Sequence, residues 1–364
     1  MDITVSREAF LKPLQSVSSV VEKKQTLPIL SNVLITAKEG KLSLIGTDLE
    51  IELIGFAPVE AIAQEGAVTV SARKLFDICR TLPEGSLLRL TLDKNYLMVR
   101  TGDSSFMLNT LPAHDFPNLE DCSYPTQFTI KQSQLKQLLA TTYFAMGQQD
   151  VRHYLNGAFI DIKQNAIKCV AADGHRLALT SLQDDQLANI DVRVIVPRKS
   201  VLELIRLLSG DVDQAVTVQI GDTRIRAMTA DFIFTSKLIN AQYPDYNRLI
   251  PRGNMVAEGD REAIKQALTR ASILSNEKFR GVRFQLESNK LRITANNADQ
   301  EQADESVSLE YEGKEMEIGF NVAYLLDVVS SFAEKTIRFV FTDPNSGVLI
   351  ESADSLYVVM PMRL

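Results

Sequence analysis

A pattern that recurs about every 125 residues constrains the fold of this 364-residue chain more than any other feature of its sequence. Three segments each contain an amphipathic helix with apolar residues at i, i+3, i+4 and i+7, which form one helix face. These residues are Leu75, Ile78, Cys79 and Leu82, then Val201, Leu204, Ile205 and Leu208, then Leu325, Val328, Val329 and Phe332. The copies lie 126 and 124 residues apart, and turns at Asp48, Asp173 and Asn297 repeat at 125 and 124 residues. Two independent landmarks with one period predict three similar domains.

The three segments predict an α+β fold of three similar domains, at residues 1–125, 126–253 and 254–364. Each segment contains a helix, about three strands, a second helix and three more strands, whose period-two alternation is typical of half-buried antiparallel sheets. Two helices should therefore pack against antiparallel sheets in each domain. The predicted helices span residues 7–24, 71–80, 131–140, 197–207, 260–271 and 321–335. Pro13 is expected to kink the first helix or delay its start.

Composition excludes several classes of protein. No apolar run reaches 18 residues and the first ten residues contain Asp2 and Glu8, so neither a membrane span nor a secretory signal is predicted. Cys79, Cys122 and Cys169 lie far apart, which predicts neither a disulfide framework nor a Cys-x-x-Cys metal site. A reducing cytoplasm is the expected location.

The distribution of charge favours a polyanionic partner, although the net charge is −7. The predicted helices contain 16 Lys or Arg against 8 Asp or Glu, so they sum to +8 and the rest of the chain to −15. Arg73 and Arg80 lie opposite the apolar stripe, and Lys199 and Arg206 take the aligned positions 126 residues later. This electrostatic field, which is positive at the helices and negative elsewhere, suits a protein that contacts phosphates through one of its surfaces only. Each residue alone is equally consistent with an ordinary solvated helix face, and the third domain has Ala323 and Ser330 at these positions.

The tetrad from Asp173 to Arg176 resembles an acid–base site, because Asp173 and His175 are two residues apart on a turn. Asp-Gly is also a common turn between strands, and neither a nucleophile elbow nor a second nearby histidine accompanies it. We interpret the tetrad as structural, with catalysis as the alternative. His114, His153 and His175 share no metal-ligand spacing, so no metal or cofactor is predicted.

Three further segments suggest contacts with other molecules. The loop QQDVRHYLNG interleaves basic and aromatic residues, which suits contact with phosphates and bases. The tail LYVVMPMRL ends in methionines that suit an adaptable apolar groove for a short peptide, or simply forms a last strand. A row of like domains has two unlike ends that can pair head to tail, and the candidate contacts are Phe106, Leu108, Ile273 and Leu274. An internal core position is an equal alternative for these four residues.

Motifs throughout the chain resemble those of the bacterial sliding clamp family, the beta subunit of DNA polymerase III. The matching motifs are TLPIL, GTDLE, QDVR.YLNG, DGHRLA, PRK, DFIFTSKL, ILSNEKFRGVR, EMEIGFNV and YVVMPMRL. The resemblance implies the clamp fold and a head-to-tail dimeric ring of six domains, with helices lining a hole that duplex DNA passes through. It also implies a processivity factor without catalytic activity or cofactor, located in the cytoplasm with the nucleoid.

The resemblance, together with the helix charges, also implies which residues contact DNA. They are Lys24, Arg73, Arg80, Gln149, His153, Tyr154, Arg198, Lys199 and Arg206. Lys24 stands where relatives commonly have Arg, and His153 where they have Tyr. Lys74 joins the four candidate contacts of the dimer interface.

A peptide groove between the second and third domains is the other implied site. It would bind a short motif carried by the polymerase catalytic subunit, the clamp-loader ATPase, and other polymerases and repair proteins. The matching residues are Arg152, Leu155, Ala172, Gly174, His175, Arg176, Leu177, Pro244, Arg248, Leu249, Asn321, Tyr324, Ser346, Val348, Val359, Met360, Pro361, Met362 and Arg363. Ala172 stands where some relatives have Thr. A hydrolase and a protein scaffold that never meets DNA are the competing functions.

Overall fold

The computed structural model describes residues 1–21, 27–119, 122–211 and 214–363. The chain divides into two compact units: Met1–Ser133 with Arg206–Leu238, and Gln134–Ile205 with Ile239–Leu364. The described residues form six α-helices: α1 (Arg7–Val20), α2 (Ala72–Thr81), α3 (Gln132–Ala140), α4 (Arg198–Leu207), α5 (Arg261–Ile273) and α6 (Val322–Ser331). None of these helices combines the length and apolarity that a bilayer crossing requires.

The strands are numbered in chain order through both units. The first ten are β1 (Asp2–Ser6), β2 (Asn32–Lys38), β3 (Lys41–Thr47), β4 (Ile51–Ala57), β5 (Ala61–Gln64), β6 (Gly66–Ser71), β7 (Leu87–Asp93), β8 (Tyr96–Thr101), β9 (Ser104–Leu111) and β10 (Thr126–Lys131). The next seven are β11 (Gly157–Lys163), β12 (Ala166–Ala172), β13 (Arg176–Gln183), β14 (Val192–Pro197), β15 (Ala215–Ile220), β16 (Arg224–Met228) and β17 (Phe232–Lys237). The last eight are β18 (Met255–Asp260), β19 (Gly281–Glu287), β20 (Lys290–Asn296), β21 (Gln302–Tyr311), β22 (Met316–Asn321), β23 (Thr336–Phe341), β24 (Val348–Glu351) and β25 (Ser355–Val359).

Each unit is built on one antiparallel sheet. The first unit has 13 strands in the order β10-β15-β16-β17-β4-β3-β2-β6-β9-β8-β7-β1-β5. The second has 12 strands in the order β14-β11-β12-β13-β25-β24-β23-β18-β21-β20-β19-β22. The strands of residues 126–253 are shared between the two sheets, so the sheets do not follow the predicted domain boundaries.

The predicted order of elements lacked the strand directly before each helix, and it also lacked β5. The strands β1, β6, β10, β14, β18 and β22 run directly into the six helices, so strand, helix and three strands is a unit that occurs six times. Local sequence patterns did not predict these strands, because a polar residue at the end of the strand also caps the following helix. Such a residue is normally interpreted as the start of the helix. Ser6, Ser71, Asp260 and Asn321 are such residues, and each accepts a hydrogen bond from a backbone N–H of the helix that follows.

The expectation that Pro13 would delay the first helix was wrong, because α1 begins six residues before it. The helix buries Phe10, Leu14 and Val17 against the sheet, as the apolar spacing predicted. A Cβ at Gly55 of β4 would lie 2.8 Å from the Pro13 Cβ, so the glycine provides the space for the proline ring. The predicted end of this helix, at residue 24, lies outside the described residues.

Within each unit, one backbone ladder joins segments that the repeat assigns to successive domains. In the first unit β4 pairs with β17, from Gly55 opposite Phe232 to Ile51 opposite Ser236. In the second unit β13 pairs with β25, from Thr180 opposite Ser355 to Arg176 opposite Val359. We call these two ladders the first and the second seam. Both join the third strand after the first helix of one domain to the last strand of the next domain.

Close packing of α1 on β3 predicts that Gly46→Ala is destabilising. A Cβ at this position would lie 2.6 Å from Val17 Cγ1 and 2.9 Å from the Val17 carbonyl oxygen, so the helix must move. We expect a loss of about 2 kcal/mol in the free energy of unfolding, measured by urea denaturation. Gly210→Ala is the control, since nothing lies within 4 Å of its Cβ position. Equal stability of the two variants would contradict this account of the helix–sheet contact.

Candidate functional site: an apolar groove and a basic surface

An apolar groove of about 260 Å³ opens on the surface of the second unit. It is lined by Arg152, Tyr154, Leu155, Ala172, Gly174, Arg176, Leu177, Tyr243, Pro244, Tyr246, Leu249, Val358 and Met360. The floor residues Ala172, Leu177 and Val358 are neighbours across adjacent strands of the second seam, and Leu349 continues their row outside the lining. All four are buried, so the floor is a continuous apolar strip of the sheet.

The segment that follows β17 forms one wall of the groove through its aromatic residues. The Tyr243 ring stacks on Phe159 at 4.7 Å and meets the edge of Tyr154 at 6.1 Å between ring centroids. Tyr246 packs edge-on against Phe159, with 6.2 Å between ring centroids. Asp245 begins the short 3-10 turn after Pro244 by accepting the Asn247 N–H, which presents Leu249 at the mouth. Rigid rings thus support an exposed leucine.

Arg176 connects four segments around the groove, and its side chain is only 11 % exposed. Its guanidinium donates to the Asp173 carboxylate at 3.1 Å, to the Phe144 carbonyl at 2.6 Å and to Asp327 of α6. The same group lies over the Tyr324 ring, 4.4 Å from the centroid. Arg176 is therefore a structural link that fixes the β12–β13 turn to α6.

The Asp173 carboxylate is committed to the turn and not to an imidazole. One oxygen accepts the backbone N–H groups of His175 and Arg176, and the other accepts the Arg176 side chain. The exposed His175 ring stacks on Tyr324 at 5.9 Å instead. This arrangement agrees with the structural interpretation of the tetrad and gives general base catalysis no Asp–His pair.

Arg152 joins the groove to the loop that carries Gln149. It forms a bidentate pair with Asp150, which holds the pKa of that carboxyl at about 2, chiefly through the Arg152 hydrogen bonds. Its guanidinium also explains Gly174, whose φ is +88° and whose Cβ would lie 2.9 Å from Arg152 Nη2. Only glycine fits this turn without strain.

The tail is tied down by its backbone up to Met362. The Met360 N–H donates to the His175 carbonyl, and the Met362 N–H donates to the Gly319 carbonyl, both at 2.8 Å. The Met360 side chain is 44 % exposed at the groove, while Pro361 and Met362 are half-buried and Arg363 is exposed. The tail thus contributes a flexible thioether to a fixed backbone.

Nine of the predicted groove residues line the cavity: Arg152, Leu155, Ala172, Gly174, Arg176, Leu177, Pro244, Leu249 and Met360. His175 and Tyr324 form the stacked pair next to it, Asn321 caps α6, and Arg248 pairs with Asp245 on the surface. Ser346 donates to Asp343 outside the lining. Val348 and Val359 are fully buried opposite one another in β24 and β25, so they support the floor and offer a ligand no surface.

The sequence analysis missed Tyr243, Tyr246 and Val358, and it placed Tyr154 with the DNA contacts although its ring lines the groove. The available signal was the spacing Tyr-Pro-Asp-Tyr after a strand, which combines a turn with two aromatic residues. Burial of these rings depends on Phe159, more than 80 residues earlier, and local patterning does not report such a contact.

The corresponding floor at the first seam is polar. The residues that take the same places in the strand ladder are Thr47, Glu52, Thr235 and Arg226. Glu52 is buried and accepts the Leu119 N–H at 3.0 Å, and Arg226 donates to Thr235. The repeat therefore provides two like seams, and only the second carries an apolar floor.

Basic side chains of the first unit surround a depression of about 630 Å³ between α1, α2 and the end of α4. Arg73, Arg80 and Arg206 line it together with serines of α1. Asp77 pairs with Arg73 at 3.7 Å and with Arg80 at 3.1 Å, while Arg206 donates to the Ser16 carbonyl. All three arginines remain exposed, so three guanidinium groups lie at the surface around this depression.

The remaining DNA-contact predictions have mixed environments. Gln149 and His153 are exposed on the loop, and Lys199 is half-buried on α4. Arg198 donates to the Tyr143 and Met146 carbonyls at 3.0 and 3.2 Å, and burial lowers its pKa, so its guanidinium holds a loop. Lys24 lies outside the described residues.

The candidate interface residues divide by exposure. Ile273, at the end of α5, is 74 % exposed, and Lys74 is exposed on α2. Leu274 and Phe106 are half-buried, whereas Leu108 is 8 % exposed and belongs to the core of its own sheet. Across residues 1–21, 27–119, 122–211 and 214–363, no group of three or more His, Cys, Asp or Glu side chains could hold a metal ion.

Removal of the Arg176 side chain tests its structural role. Arg176→Ala removes the guanidinium donor from Asp173, Asp327 and the Phe144 carbonyl, so we expect the free energy of unfolding in urea to fall by about 3 kcal/mol. Arg248→Ala is the control, because its guanidinium pairs with Asp245 on the surface and should change stability by less than about 0.5 kcal/mol. Similar losses for both variants would show that Arg176 is not the link described here.

Models of the DNA polymerase III beta subunit match three successive parts of the chain. The N-terminal domain model matches residues 1–120, the central domain model 129–245 and the C-terminal domain model 247–363. The beta sliding clamps of Pseudomonas putida and Escherichia coli K12 are each 49 % identical over 368 residues, covering all of both chains.

Solved structures agree with this match. A crystal structure of the Pseudomonas aeruginosa sliding clamp with ligand has a TM-score of 0.96 at 49 % identity, and the Caulobacter crescentus pol III beta structure has 0.93 at 35 %. Both comparisons cover 100 % of each chain. The chain therefore belongs to the DNA polymerase III beta subunit family, the bacterial sliding clamps that act as processivity factors in DNA replication.

Proposed function

We propose that this protein forms a head-to-tail homodimeric ring that encircles duplex DNA, slides along it without sequence specificity, and tethers the replicative polymerase through the apolar groove. The observation that carries this proposal is the pair of like seams. In both seams the third strand after the first helix of one domain pairs with the last strand of the next domain. The same pairing between the third domain of one chain and the first domain of another would join two chains head to tail.

The third seam follows from strand positions in the repeat. β4 and β13 are the third strands after α1 and α3, and β21 is the third after α5. β17 and β25 are the third strands after α4 and α6, and β9 is the third after α2. The rule therefore pairs β21 of one chain with β9 of a second copy.

Both strands have an open edge among the described strands. Residues 302–308 of β21 pair only with β20, and residues 104–109 of β9 pair only with β8. Carrying over the register of the two seams places Glu305 opposite the partner's Ser104 and Gln302 opposite the partner's Met107. Open strand edges attract a further strand, so covering both of them in a ring removes an aggregation hazard.

Apolar side chains lie next to both edges. Ile273 is exposed at the end of α5, which packs against β21, and Met107 is exposed on β9. Their burial between chains would stabilise the dimer, with Phe106, Leu274 and Lys74 at the same junction. Leu108 would contribute through its own sheet, since it is already buried.

The basic helices suit a contact that leaves the bound DNA free to move. Arg73, Arg80 and Arg206 are long, exposed side chains that reach phosphates without reading base edges. Lys24, Gln149, His153 and Lys199 would add similar contacts, and Arg198 would position the loop beside them. Retention comes from the closed ring, so weak and mobile contacts are an advantage for sliding.

The groove suits a short linear motif with large apolar side chains. Its floor is apolar and its mouth carries Leu249 and Met360, which adapt to different ligands. We infer that the polymerase catalytic subunit, the clamp-loader ATPase, and other polymerases and repair proteins bind here in turn. Tyr154 then belongs with the groove, and His175 and Tyr324 form its rim.

The protein then has no catalytic role of its own, and a separate ATPase supplies the energy that opens the ring. It would act in the cytoplasm on the nucleoid, with domains at residues 1–125, 126–253 and 254–364. The commitment of Asp173 to its turn disfavours the hydrolase alternative. The clustered arginines of the first unit disfavour a scaffold that never meets DNA.

The third seam predicts a solution mass near twice the 40.5 kDa of the chain. Light scattering should report a dimer for the wild type and a monomer for Ile273→Asp, because a charge replaces an apolar contact in the new interface. Leu202→Asp, which places the same charge at an exposed apolar residue of α4, should stay dimeric. X-ray scattering of the wild type should show a hollow particle. A monomeric wild type, or an unaffected Ile273→Asp dimer, would contradict the predicted seam.

Topological retention distinguishes a sliding ring from an ordinary DNA-binding protein. Wild-type protein placed on a nicked circular plasmid by clamp loader and ATP should stay bound through gel filtration and leave when the plasmid is cut. Arg73→Glu with Arg206→Glu should lower the retained amount severalfold, whereas Lys41→Glu with Lys290→Glu, at exposed strand ends, should not. Retention on linear DNA equal to that on the circle would refute encirclement.

A further inference from the structure

The Tyr243 hydroxyl is a buried polar group without a partner at the apolar groove. The residue is 9 % exposed, and its oxygen has no hydrogen-bond partner. The Ala172 backbone amide is near enough to influence the hydroxyl's pKa, yet it does not meet hydrogen-bond geometry. Burial raises the pKa of this phenol, so the hydroxyl keeps its proton. Its O–H donor is satisfied only when a hydrogen-bond acceptor lies next to it.

The Tyr243 ring cannot turn outward to give its unpaired hydroxyl a partner. It is stacked face to face on Phe159, with 4.7 Å between centroids and 7° between planes, and Tyr154 packs on it edge-on. The backbone before it is held where the Ile239 N–H donates to the Ile195 carbonyl, and Pro244 follows directly. The hydroxyl is therefore a preorganised donor at a fixed position.

An unpaired buried hydroxyl lowers stability, and phenylalanine would fill the same space without that cost. Such an orphan in a native structure requires an explanation, and binding of a ligand provides one. The two arginines of the lining are already engaged: Arg176 with Asp173, and Arg152 with Asp150. The Tyr243 hydroxyl is shielded from solvent in the free protein, so it adds a directional contact only when an entering ligand displaces the groups that cover it.

We propose that the Tyr243 hydroxyl donates a hydrogen bond to a carbonyl or carboxamide oxygen of the peptide that occupies the groove. The inference rests on the proposed function and deepens it by naming a specificity determinant. Met360 and Leu249, both exposed at the mouth, move aside as apolar side chains of the peptide enter. The peptide then pairs the hydroxyl while it covers the apolar floor.

The test measures peptide affinity in the dimeric, full-length protein. The probe is a fluorescein-labelled ten-residue peptide with the clamp-binding motif of the replicative polymerase catalytic subunit. Tyr243→Phe should weaken its binding about fivefold by fluorescence anisotropy, the effect of losing one hydrogen bond. Tyr124→Phe is the matched control, because it removes another buried hydroxyl without a partner from the first unit, outside the groove, and it should bind like the wild type.

Stability of the free protein provides a second readout that a merely structural hydroxyl would not give. The thermal midpoint of Tyr243→Phe should equal or exceed that of the wild type, because a buried unpaired group is removed. A crystal of the wild type with the peptide should show a peptide oxygen within about 3.2 Å of Tyr243 Oη.

The outcomes separate this inference from the proposed function. Equal affinity of wild type and Tyr243→Phe overturns the role of the hydroxyl while leaving the groove assigned. A lower thermal midpoint with unchanged affinity does the same, because it is the result expected if the hydroxyl binds a structural water. Absence of binding to the wild type overturns the groove assignment itself. Weaker binding with an unchanged or raised midpoint supports the hydrogen bond.

Discussion

Backbone pairing across the seams is the constraint on which the rest of the structure depends. β4 with β17 and β13 with β25 extend each sheet from one repeated segment into the next, so segments of about 125 residues share one sheet in each unit. Backbone hydrogen bonds do not depend on side-chain identity, so the same strand pairing can connect segments of different composition. A third joint of this kind, between chains, needs no new element.

Side chains on the seams can therefore diverge while the ladder stays the same. At the second seam Leu177 and Val358 make the floor apolar, and at the first Glu52 and Thr235 occupy the same places. Glu52 also accepts the N–H of Leu119, which suits a closed polar contact and not an apolar ligand. The repeat thus provides two equivalent strand ladders, and different side chains at a few strand positions give only the second an apolar floor.

Arginines in this protein divide into two roles that their positions in the sequence do not separate. Arg176 and Arg198 donate to backbone carbonyls of residues 143–146, so they hold a loop and the groove together. Arg73 and Arg206 are exposed on the surface of the helices. The first role requires a fixed geometry and the second benefits from mobility, which agrees with a protein that positions peptides but lets DNA slide.

The sequence by itself determined the period, the six helices, most of the strands and, through its motifs, nine of the residues that line the groove. These properties depend on local periodicity or on short segments, and both are visible in a linear chain. Only the tertiary structure decided the strands before each helix, the aromatic wall at Tyr243 and Tyr246, and the burial of Leu108 and Val348. Each of these depends on pairing or packing with residues distant in the chain, and a linear pattern carries no information about which distant segment becomes the neighbour.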